Sequence, residues 1–164
     1  MRWLLSRGRR RLFAGTALLA IVAVLLAIGA SAGWRSAPAA EGDPGDAAEV
    51  ALGEQVYAAH CAACHGNHLE GQPNWRMRKP DGRLPAPPHD YHGHTWRHPD
   101  RELFNIVKNG VAPYAPPGYQ TDMTGFGGVL SDAQIWAVLA YIKSAWPPEF
   151  REYQAALTRG DKGK

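Results

Sequence analysis

Only two of the 164 residues are cysteine, Cys61 and Cys64, so no disulfide framework holds this chain together. Acidic residues are missing from the first 35 positions, which carry six arginines: Arg2, Arg7, Arg9, Arg10, Arg11 and Arg35. No segment sustains the apolar-polar alternation of a strand, and no internal repeat or long low-complexity tract is visible. A mainly disordered or collagen-like chain is excluded by 45% hydrophobic and 20% charged residues. The length suits one small domain with appendages.

The formal net charge is +3, yet residues 36–164 hold 12 basic residues against 15 acids. The excess of base belongs to the leader, which argues against nucleic acid as a partner. Residues 12–34 follow as 23 positions without charge. A basic start and a long apolar run make an export signal, with the arginines left in the cytoplasm. A cleaved signal peptide would use Ala30-Ser31-Ala32 or Ala37-Pro38-Ala39 and release a soluble periplasmic protein. The run exceeds a usual signal-peptide core, though, and about 20 apolar residues cross a bilayer. Trp34 also stands where an interfacial anchor belongs. We therefore read residues 1–11 as a cytoplasmic basic segment and 12–34 as a single-pass signal-anchor in the inner membrane. The rest then lies in the periplasm.

Residues 35–46, rich in Ala, Gly and Pro, read as a flexible tether. A helix is expected from Asp46 to about His60, and a second, short one after Pro99, stopped by Gly110. The clearest helix starts at a capping box, Ser131 and Gln134. It repeats Ile135, Val138, Leu139, Ile142 and Trp146 at helical spacing and ends at Pro147-Pro148. Two long Pro/Gly-rich loops, 71–99 and 111–130, separate these helices. Loops of that length argue against a simple bundle. A domain over 47–148 results, followed by a polar tail, 149–164, read as a frayed surface helix. Something other than protein must fill the space between the helices.

Cys61-Ala62-Ala63-Cys64-His65 names that filler: C-x-x-C-H is the attachment site of a c-type haem. Two thiols one helical turn apart can add to the two vinyl groups of one haem. The next residue then offers an imidazole to the iron. A thioredoxin-type motif would follow a strand and open a helix, whereas this one closes a helix. Zinc would have to recruit His60 or His68, because no second C-x-x-C exists.

With these residues the chain resembles the class I monohaem cytochromes c over about Ala47 to Trp146. The matching features are a helix with Gly53 and Tyr57 running into Cys61–Gly66, a methionine in Asp122-Met123-Thr124-Gly125-Phe126-Gly127, and the helix containing Val138-Leu139-Ala140-Tyr141-Ile142. The resemblance implies an all-α cytochrome c fold, three to five helices with long loops wrapped around one covalent haem c. It also implies that the first and last helices cross near Gly53. Thr124 stands where the family's Met-Pro-x-Phe has proline. The sixth iron ligand follows by elimination. Met1 is in the leader, and Met77 lies 12 residues after His65 in a run with Arg76, Arg78 and Lys79. Met123 lies 58 residues after His65, far enough for the chain to wrap the cofactor. Thioether beside imidazole suits an electron carrier, because soft sulfur favours ferrous iron.

Pro87-Pro88 resembles the family segment whose carbonyl meets the other nitrogen of the haem histidine; an ordinary rigid loop is the alternative. The run His89-Asp90-Tyr91-His92-Gly93-His94-Thr95-Trp96-Arg97-His98 invites a copper or zinc site. The resemblance instead implies a loop facing the haem propionates through Trp96 and Arg97. The expected protein is a non-enzymatic electron carrier. Cys61 and Cys64 hold the porphyrin, His65 and Met123 hold iron, and donor and acceptor redox proteins are its partners. A cytochrome subunit of an oxidase or dehydrogenase complex is the alternative, and a ligand-binding haem enzyme or sensor is a weaker one.

Overall fold

The computed structural model describes residues 42–161; the predicted leader, its cleavage sites and most of the tether lie outside the described residues. Helix α1 (Ala47–His60) starts within a residue of the expected bound, and Asp46 is its cap: the Asp46 carboxylate accepts from the amides of Ala48 and Glu49. Glu49 in turn accepts from the amides of Gly42 and Asp43, both at 2.9 Å, and folds the incoming chain onto the first turn. Helix α2 (Ala62–His65) is a single turn after α1. Helix α3 (Asp100–Asn109) stops at Gly110, whose φ of 79° suits glycine. Helix α4 (Asp132–Ser144) opens with the reciprocal Ser131–Gln134 capping box, and α5 (Pro148–Gly160) follows. The predicted all-α class holds, with no named strand among the described residues.

The core is the crossing of α1 and α4. A Cβ on Gly53 would collide with the Ala137 carbonyl and stand 2.8 Å from the Tyr141 Cβ, so only glycine lets the two backbones approach this closely. Around the crossing, Val56, Tyr57, Leu69, Leu130, Ile135, Val138, Ile142 and Trp146 form one buried cluster. Burial of this kind is the main favourable term in folding. Tyr57 sends its hydroxyl out of the cluster to the Gly66 carbonyl at 2.8 Å, tying the helix interior to the end of the C-x-x-C-H turn.

The segment predicted as a frayed tail is built into the domain. Gln154 on α5 is 2% exposed. Its amide donates to the Asp100 carboxylate at 2.7 Å, and the Lys143 ammonium reaches the same carboxylate at 3.0 Å. Thr158 accepts from the Asp100 amide at 3.0 Å, capping α3 from 58 residues away. A charge pair this enclosed needs its remaining lone pairs satisfied, and α5 supplies that. Trp96 packs against this helix, its ring 4.8 Å from Phe150 and 5.6 Å from Tyr153. Its indole N–H donates to the Tyr91 carbonyl, and Arg97 lies over its ring at 4.7 Å. Trp96 of the expected propionate-facing pair thus has α5 as its packing partner, and Arg97 stacks on Trp96. Among the described residues no three His, Cys, Asp or Glu side chains gather as metal ligands, so the histidine run holds no preassembled copper or zinc site.

Among the described residues no helix is long and apolar enough to cross a membrane; the predicted anchor lies outside them.

Candidate haem site

The turn of α2 presents the motif in order. The Cys64 and His65 amides bond to the Cys61 carbonyl at 3.1 and 2.9 Å, which places the two thiols one turn apart. Neither cysteine is in a disulfide; Cys61 is partly buried and Cys64 exposed. Burial, and then the neighbouring Cys64, push the Cys61 thiol up to about 11.

His65 is buried, 7% exposed. Its Nδ1 lies 2.9 Å from the Pro87 carbonyl. A carbonyl only accepts, so Nδ1 carries the proton and Nε2 keeps its lone pair. Burial lowers the pKa of His65, opposed by the Pro87 bond, and leaves the imidazole neutral at neutral pH. A neutral imidazole with one nitrogen held by a carbonyl is what a metal-ligating histidine requires. The carbonyl reading of Pro87-Pro88 therefore holds. Gly71 and Gly93 let this segment come close: a Cβ on Gly71 would run into Pro88, and one on Gly93 into the Pro88 carbonyl.

His89, the first residue of the histidine run, stands beside His65 and not in a metal cluster. The His89 ring stacks on His65 with centroids 4.0 Å apart and planes 23° from parallel. His89 is fixed at three points. Its amide donates to the Leu69 carbonyl at 2.8 Å, Nδ1 meets the Thr95 hydroxyl at 2.8 Å, and its carbonyl accepts from the Trp146 indole at 2.7 Å. Burial, then His65 and His94, hold it neutral. Its place directly after Pro87-Pro88 was the available signal.

Met123 is partly buried, in a loop hung on the end of α3. The Phe126 and Gly127 amides donate to the Val107 and Lys108 carbonyls at 2.9 Å each. Gly110 and Thr124 form an isolated antiparallel bridge, so threonine serves at the proline position of the family pattern. Gly125 lies so near that a Cβ would stand 2.7 Å from the Lys108 carbonyl oxygen. The preceding residue, Asp122, is clasped by Lys79 at 2.9 Å and Arg83 at 3.0 Å. The Lys79 hydrogen bond, ahead of Arg83, holds the Asp122 carboxyl below its ordinary value. Met77 is 66% exposed, as its charged neighbours foretold.

This donor set fits a covalently attached haem. It comprises paired thiols, a neutral imidazole with a lone pair to give, a thioether on a separate loop, and spare capacity for an anionic group. That capacity is two buried nitrogens without partners among the described residues, Arg83 Nε and His94 Nδ1. His94 stacks on Trp75, centroids 5.5 Å apart. Buried polar nitrogens in a finished fold are almost always paired, and an anionic group of the cofactor is a partner that suits the Arg83 guanidinium.

Three comparisons bear on the chain. The Cytochrome c family model matches residues 50–146. Cytochrome c6 of a Picosynechococcus species is 38% identical over 101 residues, which cover 62% of this chain and 77% of that protein. Thiosulfate dehydrogenase of Stutzerimonas stutzeri is 32% identical over 103 residues; the match takes in 29% of that protein's length. Among solved structures, cytochrome CL of the methylotroph Methylophaga aminisulfidivorans is 20% identical with a TM-score of 0.46, covering 73% of this chain and 69% of that one.

Proposed function

This chain belongs to the cytochrome c family, and from that membership we propose that it carries single electrons between redox proteins through one haem c. When bound, the haem supplies a reversible one-electron iron couple. Cys61 and Cys64 would hold it by thioether bonds, His65 would offer Nε2 to the iron, and Met123 would offer its sulfur. Carrying an electron in this way needs no acid or base from the protein. The chain's tasks are to keep both ligands in place, exclude water, and offer one edge to a partner.

The observation that carries this reading is the His65–Pro87 bond. It leaves one nitrogen lone pair on the residue that follows two thiols one turn apart, and the chain also offers a methionine on a separately supported loop. Spectra of the purified protein in both redox states, with and without carbon monoxide, test it. A ferric charge-transfer band of methionine ligation and no carbon monoxide binding are expected. Rapid carbon monoxide binding by the unaltered protein would put the ligand-binding enzyme or sensor in its place.

The similarity to thiosulfate dehydrogenase favours a second reading, a cytochrome subunit within a larger oxidase or dehydrogenase. A mild-detergent extract separates the two: the carrier migrates alone, the subunit with a constant partner. Localisation completes the proposal. Residues 12–34, as a helix rising about 1.5 Å per residue, would span roughly 34 Å against a hydrocarbon core of about 30 Å. The leader then stays on and tethers the domain at the periplasmic face of the inner membrane. Intact mass from washed membranes decides this; a mature N-terminus at Gly33 or Ala40 in the soluble fraction would replace the anchor with a cleaved signal.

A further inference from the structure

The domain is acidic as a whole, with 12 basic residues against 15 acids over 36–164, but its charges are unevenly placed. Asp43, Asp46, Glu49 and Glu54 fill the α1 end without a lysine or arginine among them. Four of the twelve bases fall within eight residues, Arg76, Arg78, Lys79 and Arg83, with Asp81 the only acid between them. This basic island is bound to the Met123 loop. Lys79 and Arg83 both grip Asp122, the residue before Met123. Those two cations are thereby paired with a carboxylate, while Arg76 and Arg78 have no carboxylate partner among the described residues, Arg78 donating to the Gly82 carbonyl at 2.6 Å. Each lies instead over an aromatic ring, Arg76 at 4.0 Å from the centre of Trp75 and Arg78 at 5.5 Å from that of Tyr119. Between them Met77 stands 66% exposed.

Arginine, methionine and aromatic side chains are the types enriched where protein surfaces meet. Guanidinium groups supported on rings keep their charge while losing little freedom on contact. An exposed methionine between two such cations is an adaptable apolar contact. We infer that Trp75–Arg78 with Tyr119 is the surface on which an acidic face of a partner redox protein docks, bringing its redox centre to the Met123 side of the haem. The inference rests on the proposed Met123 ligation, which places the island beside the cofactor. Net charge would repel an acidic partner, so attraction must come from the local field of this island. Such local fields set association rates and decay with salt.

Stopped-flow reduction of the ferric holoprotein tests the inference with two donors, reduced flavodoxin as an acidic protein and hexaammineruthenium(II) as a small cation. The variant Arg76→Gln/Arg78→Gln is compared with the unaltered protein and with Arg159→Gln on α5. At low ionic strength the double variant should react with flavodoxin roughly three- to tenfold more slowly. The difference should vanish at high salt, the ruthenium rate should hold or rise, and Arg159→Gln should match the unaltered protein. An unchanged flavodoxin rate overturns the inference, as does an equal fall with both donors. Binding of the unaltered protein to phosphatidylglycerol vesicles, abolished by the double substitution while the flavodoxin rate stays put, assigns the island to lipid headgroups and equally overturns it. The ferric methionine band is recorded on the same samples: its absence defeats the ligation reading, whatever the rates show.

Discussion

The two sides of the haem site are built on different principles. On the His65 side the proposed ligand belongs to a turn welded to the α1–α4 crossing: Tyr57 ties the core to Gly66, Pro87 fixes the ring in its plane, and His89 covers its face. On the Met123 side the proposed ligand rides a glycine-containing loop. Backbone bonds to the end of α3 and an ion pair exposed to solvent hold that loop in place. Buried packing and hydrogen bonds resist opening, whereas exposed ion pairs and short loop contacts open locally at little cost. The histidine side should therefore fail only with the whole domain, and the methionine side by itself.

The largest effect is expected at the crossing. Gly53→Val would force two methyl groups into the Ala137 carbonyl and the Tyr141 side chain. Overpacking a contact with no room costs about 3 kcal/mol or more. Denaturant titration of the holoprotein should show haem absorbance and helix signal lost together, at a much lower midpoint, with sharply reduced yield. A methionine band lost well before the helix signal in this variant would break the comparison.

Gly125→Ala is the counterpart on the other side. Its Cβ would press on the Lys108 carbonyl and the Asn109 backbone, pushing the Met123 loop off α3 at a cost of about 1–2 kcal/mol. The expected phenotype is selective: the ferric methionine band fades and carbon monoxide binds, while helix content and the proximal ligand persist. A cooperative loss of everything would show that the loop is as integral as the crossing.

These two glycines also show what sequence can and cannot reveal. Gly53 was legible because helical periodicity fixes which face it occupies and the family resemblance says what that face meets. The capping box at Ser131 and the C-x-x-C-H turn were legible for a like reason: each is local chemistry or a motif at fixed spacing, and the Pro87-Pro88 segment offered the carbonyl as one of two readings. What stayed hidden depends on partners far along the chain. Asp100, Lys143 and Gln154 look like solvated residues until folding brings them together over 43 and 54 positions. That is why α5 read as a frayed tail and its packing on Trp96 went unseen. The clasp of Lys79 and Arg83 on Asp122 spans some forty residues and left no local trace. Spacing alone could not say which of seven histidines would lie against His65.

His89 sharpens the comparison from the proximal side. His89→Ala removes the ring stacked on the ligand while leaving the Pro87 bond, and stacked aromatic pairs contribute about 1 kcal/mol beyond burial. Electron paramagnetic resonance of the ferric protein should show a shifted and broadened g-anisotropy as the imidazole gains rotational freedom. His89→Phe, which restores a ring without the Thr95 bond, should recover a sharp spectrum. Equal spectra for alanine and phenylalanine would mean that the Pro87 carbonyl alone orients His65.

The smallest effect is expected at Asp122, and its size is the point. Asp122→Asn deletes the carboxylate that Lys79 and Arg83 share but keeps side-chain volume and the Met123 backbone bonds. Exposed pairs of this kind contribute little to global stability, so the denaturation midpoint should barely move. The clasp acts instead on how often the loop opens. Imidazole added to the ferric protein competes for the site that methionine vacates, and its binding rate reports loop opening directly. Removing the clasp should raise that rate a few-fold at low ionic strength. Salt should raise the rate in the unaltered protein but scarcely in the variant, because screening and substitution remove the same attraction. If salt accelerates both equally, the backbone bonds to α3 carry the loop alone, and the two sides of the haem differ only in packing.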